Sequence, residues 1–190
     1  MSYTLSPRNR IPRCLAPVLV MCYPALIYLA SHSWSPKALG IGLVVSAVVW
    51  RLSAGDTAIS RGLVCGGILL AVLAFGFNDV LPLKLYPVMV NGLLLTVFVA
   101  SLWFPPTVVE RIARRQDPEL PQEGVMYTRR VTQVWCLFFV SNGLIALWTA
   151  LWQSARVWFW YNGVIAYLLI GGLFVGEWLI RRRVIEKQRG

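Results

Sequence analysis

A chain of 190 residues that is 57% hydrophobic, with mean hydropathy +0.63, is too apolar for a soluble domain of its size. Its net charge of +10 would point to nucleic acid in a soluble protein. Here the basic residues lie between and beyond apolar runs, where membrane topology and anionic lipid account for them, so nucleic-acid binding is set aside. The fold class expected is all-α: a polytopic membrane protein, a compact bundle of about six transmembrane helices.

Residues 1–13 read as a basic cytoplasmic tail. A transmembrane domain over 14–183 follows, with apolar runs at about 14–30, 38–52, 62–77, 85–104, 131–152 and 157–180. Pro17 and Pro24 interrupt the first run, and Tyr28-Leu29-Ala30 is a poor cleavage site, so an uncleaved helix is expected rather than a signal peptide. The second and third runs carry the small-residue steps Gly42/Ser46 and Gly62/Gly66, which suit close helix approach inside the molecule, with a homodimer face as the alternative. Phe77-Asn78-Asp79 through Lys84 reads as a turn, and Pro105-Pro106 stops the fourth run.

The loop at 105–130 holds a capping box, Thr107 with Glu110, at the start of a short helix. Val108, Val109, Ile112 and Ala113 share one face of that helix, with Arg111, Arg114 and Arg115 elsewhere around it, so it is expected to lie on the membrane surface. These three arginines are the candidate surface for an acidic partner or anionic lipid. Asp117-Pro118-Glu119-Leu120-Pro121 forms a turn. The last two runs make a hairpin whose outer end gathers Trp148, Trp152, Trp158 and Trp160, read as an interfacial aromatic belt. Residues 184–190 form a second cytoplasmic tail. With the N-terminus inside, the outer segments keep only Lys37, Lys84 and Arg156 of the eighteen basic residues, which sets both termini in the cytoplasm.

Asn91, Asn142 and Asn162, each followed by Gly, lie within apolar runs. An amide in hydrocarbon needs partners, so these three should face inward as a helix-packing or polar binding cluster, with helix packing the favoured role. Glu177 is the one acidic residue inside an expected membrane-spanning helix. Arg181 follows at i+4, and Arg129 and Arg130 begin the fifth run, so an ion pair is expected ahead of a headgroup or proton role. Gly172 and Gly176 give a further step of small residues beside it.

No catalytic residues are assigned. Ser-His-Asp, Cys-His and HExxH arrangements, phosphate-binding Gly loops and a DxxxD pair are all missing. Cys14, Cys22, Cys65 and Cys136 show no paired spacing, and His32 is the only histidine, so neither metal nor cofactor is expected.

The segments Tyr127-Thr128-Arg129-Arg130, VWCLFFVSNGLIALWTALW (134–152) and WYNGVIAYLLIGGLFVGEWLIRRR (160–183) resemble a group of small bacterial inner-membrane proteins. That group is encoded among fatty-acid-synthase-like genes for aryl polyene lipids and is distantly similar to the intracellular septation protein A family. The resemblance covers the C-terminal 100 residues or so and implies an inner-membrane setting in envelope lipid biosynthesis, with no active site to carry over. The function expected is a non-enzymatic accessory protein, with membrane lipid, acyl carrier protein or other proteins of such a gene cluster as partners. The alternatives are a small lipid or small-molecule carrier with a polar site among the last three helices, and a lipid-modifying enzyme using Glu177.

Overall fold

The computed structural model describes residues 23–29, 35–54 and 57–189, with side chains as far as residue 179. Among these residues the chain is helical, without a strand. Four helical stretches are long and apolar enough to cross a membrane: Ala58–Phe77, Tyr86–Trp103, Gln122–Trp152 and Ala155–Leu179. Most of the first apolar run of the sequence lies outside the described residues. The second forms a 19-residue helix that is not one of the four.

The chain divides into two compact units, 1–83 and 84–190. In the first, α1 (residues 23–29), α2 (Pro36–Ala54) and α3 (Ala58–Phe77) succeed one another. Thr57 caps α3: its hydroxyl accepts from the Ser60 amide at 3.1 Å, while Ser60 Oγ accepts from the Thr57 amide at 2.9 Å. What holds α2 to α3 is closeness of packing. Gly40 and Gly67 supply it. A Cβ on Gly40 would meet Ala71 Cβ at 3.4 Å, and one on Gly67 would meet Ala47 Cβ at 3.6 Å. At the Gly42/Ser46 step, Ser46 Oγ donates within its own helix to Gly42 O, 2.8 Å away, and a Cβ on Gly42 would meet Leu26 Cδ2 at 3.7 Å. Asn78 ends α3 in the left-handed region (φ 50°), which Asn tolerates better than most residues. The Asp79 carboxylate then accepts from the Leu81 amide at 3.0 Å and closes the turn. The four-residue α4 (Leu81–Lys84) carries the chain onward.

In the second unit, α5 (Tyr86–Trp103), α6 (Val108–Ala113), α7 (Gln122–Trp152), α8 (Ala155–Trp160), a π-helical turn (Tyr161–Ile165) and α9 (Ala166–Arg189) follow in order. α6 begins at the expected capping box. Thr107 Oγ1 accepts from the Glu110 amide at 3.2 Å, and Glu110 Oε2 accepts from the Thr107 amide at 3.3 Å. α7 runs antiparallel to both α5 and α9: Asn142 meets Asn91 while Trp135 meets Phe98, and Trp135 also meets Phe174.

α7 starts at Gln122, well before the apolar run at 131. At 1.5 Å per residue its 31 residues extend about 46 Å, beyond the ~30 Å of a bilayer core. Hydropathy marks where a helix can meet lipid. Pro121 marks where this one begins, since proline suits a helix start and not its interior.

Candidate functional site

The second unit contains a polar seam and an apolar cavity. In the seam, Asn142 Nδ2 donates to Asn91 Oδ1 at 3.1 Å, and Tyr161 Oη donates to Asn142 Oδ1 at 2.9 Å. Asn91 Nδ2 completes the chain on the Pro87 carbonyl at 2.8 Å. Asn91 and Asn142 are only 7% and 5% exposed, so these bonds satisfy amides cut off from solvent. Gly143 makes the approach possible, because a Cβ there would lie 3.2 Å from Asn91 Cβ.

Asn162 does not join that pair. Its amide donates to Thr149 Oγ1 at 3.1 Å and to the Trp158 carbonyl at 2.9 Å, while its own Oδ1 has no partner among the described residues. The π-turn places Tyr161 and Asn162 side by side in sequence, yet they serve Asn142 and Thr149, two turns apart on α7. Tyr161 and Thr149 are the polar partners that sequence reasoning passed over. Trp158 also departs from the aromatic-belt reading. It is fully buried, and its indole N–H donates to the Lys84 carbonyl at 3.1 Å, whereas Trp148, Trp152 and Trp160 are exposed. The hydrogen bonds of the seam join α5, α7 and the π-turn.

The cavity, about 480 Å³, lies among α5, α6, α7 and α9. Its volume falls within the range of roughly 300–1,000 Å³ usual for ligand pockets. α7 gives it one continuous face, stepping by a helical turn from Glu123 through Tyr127, Val131 and Trp135 to Phe139. Leu94 and Phe98 of α5 and Ile170 and Phe174 of α9 close its sides, and α6 adds Val109, Ile112 and Ala113. The aromatic rings brace one another. Phe98 stands edge-on to Phe139 at 5.1 Å between centroids, and Trp135 lies 4.8 Å from Phe174. Such pairs contribute about 0.5–1.5 kcal/mol each beyond burial.

Glu177 lines this cavity and is half-buried. Its backbone carbonyl accepts from Tyr127 Oη at 3.3 Å. No ion pair joins its carboxylate to Arg129 or Arg130 among the described residues. Both arginines are exposed, and Arg129 lies about 200° around α7 from Tyr127, off the cavity face. The side chain of Arg181 lies outside the described residues. At Gly172 and Gly176 a Cβ would meet nothing within 4 Å, so this step of small residues makes no close helix contact among the described residues.

The arginines of α6 are exposed but not all idle. Arg114 Nε donates to Glu110 Oε1 at 2.9 Å, and Arg111 Nε donates to the Pro106 carbonyl at 2.9 Å. Both brace the helix start, while Arg115 stands exposed beside them. Cys65 and Cys136 are free thiols, and no group of metal-ligating side chains occurs among the described residues.

No protein-family model, curated protein or solved structure matches this chain.

Proposed function

We propose that this protein is a non-enzymatic membrane protein whose second unit holds the apolar part of an amphiphile in the cavity beside α7. One observation carries the reading: a ligand-sized cavity walled by Phe98, Trp135, Phe139, Ile170 and Phe174, with ionisable side chains gathered where α7 begins. A lipid-like molecule has that same division between tail and head. Six spans, both termini in the cytoplasm and an inner-membrane setting go with this proposal, on the strength of the charge asymmetry in the sequence. So does an accessory role in envelope lipid assembly, where an amphiphile would be held or presented to soluble partners such as acyl carrier protein. The seam supports the reading in another way, by fixing α5, α7 and the π-turn so that the cavity keeps its shape.

The test is the lipid that accompanies the purified protein. Mass spectrometry of the wild-type protein in mild detergent should find an amphiphile bound near one per chain. Val131→Trp, which fills the cavity from α7, should lose it while remaining folded. Equal lipid content in both proteins contradicts the proposal.

A further inference from the structure

The chain has eight acidic residues against eighteen basic ones, yet the described residues that line the cavity include three carboxylates and no Lys or Arg. Asp117 precedes α7 and Glu123 sits in its first turn. Glu177 reaches the same end, since its carbonyl is bonded to Tyr127 one turn further on. The helix dipole alone would favour an acid at Glu123. It offers no reason for Asp117 or Glu177. From Glu123 to Phe139 the α7 face extends about 24 Å, with the carboxylates at one end and the rings of Trp135, Phe139 and Phe174 deeper in.

We infer that the cavity selects an amphiphile whose head is a positively charged nitrogen, seated against Asp117 and Glu177, with its tail along the aromatic wall of α7. The inference rests on the amphiphile-binding reading of the cavity. Glu177, half-buried in the cavity wall, acts through a lower effective dielectric than water, while Asp117 stands exposed at the rim, and both carboxylates attract a cation and repel an anion. Aromatic faces tolerate a cation and its alkyl substituents equally well. The preference runs against the protein's net charge, which by itself favours anionic lipid.

Equilibrium binding of radiolabelled hexadecylamine, hexadecanol and hexadecanoate to the full-length protein in neutral detergent varies the head while the tail stays fixed. Hexadecylamine should bind at least roughly tenfold more tightly than hexadecanoate, a ratio well within reach of such charge contacts. Asp117→Asn combined with Glu177→Gln should remove most of that preference and leave hexadecanol binding unchanged. Val131→Trp should abolish binding of all three, and Ile170→Trp, approaching from α9, should do the same if the first variant folds poorly. Equal affinity for the three probes, blocked by either tryptophan, keeps the cavity as a binding site and overturns the charge selection. Binding indifferent to both tryptophans overturns the cavity reading itself. Phosphatidylethanolamine and a phosphate-free long-chain amine, used as competitors, then assign the nitrogen to a phospholipid head or to a simple amine.

Discussion

Asn142 donates its side-chain amide to Asn91 across 3.1 Å, joining two membrane-length helices at positions 51 residues apart in the chain. The bond is one link of a chain. Tyr161 donates to the other end of Asn142, so removing that one side chain strands a buried acceptor on α5 and a hydroxyl on the π-turn. Asn142→Leu should therefore cost about 1–3 kcal/mol, the penalty of buried polar groups left unpaired. Thermal unfolding in detergent measures it. Asn91→Leu with Asn142→Leu should cost less than the sum of the two single changes, because the pair is removed together. Strict additivity would mean that the amides do not act on each other.

Two glycines that follow these asparagines should respond in opposite directions. A Cβ at Gly143 would crowd Asn91 Cβ at 3.2 Å, whereas one at Gly92 meets nothing within 4 Å. Gly143→Ala should lower the melting temperature and Gly143→Leu should lower it further. Gly92→Ala should raise it, by up to about 1 kcal/mol of helix propensity. A rise for Gly143→Ala would show that α5 and α7 are not held this closely.

The capping box makes a local prediction. Thr107→Ala removes the acceptor for the Glu110 amide and should destabilise α6 by about 0.5–2 kcal/mol. Glu110→Ala should do more, since Glu110 also holds Arg114 at 2.9 Å. Hydrogen exchange over residues 108–114 is the readout. Faster exchange confined to that segment is expected, with α7 unaffected.

Topology follows from charge. With the native cysteines replaced, single cysteines at Gln116 and Gln188 should react with a membrane-impermeant reagent only from the cytoplasmic side. Cysteines at Ser33 and Ser154 should react only from the opposite side. Labelling of Gln116 from outside would reverse the orientation of the second unit.

Some of this was readable before any coordinates. Thr107 and Glu110 form a signal three residues long that needs nothing from the rest of the chain. That an amide on an apolar helix must find a partner is equally general, but which partner it finds is not. Asn91 and Asn142 meet because α5 and α7 are antiparallel neighbours, while Asn162 is turned away to Thr149 by a π-turn with no sequence signature. Hydropathy located the apolar stretches but carries no signal for where α7 begins, since the stretch from Gln122 to Arg130 is polar enough to form helix outside any apolar run. The cavity was illegible because it is made by faces of four helices at once. Its only trace in the sequence is the four-residue spacing of Tyr127, Val131, Trp135 and Phe139, which any packed helix face would also produce.

The central claim is that the α7 cavity holds one kind of amphiphile, distinct from bulk lipid. A diazirine-bearing amino acid placed at Ile170, inside the cavity, and separately at Leu168, 69% exposed on the same helix, tests it directly in native membranes. After irradiation, mass spectrometry reads the lipid attached to each. The account predicts a single enriched species on Ile170 and a mixture matching the bulk membrane on Leu168. The same mixture on both positions would contradict it.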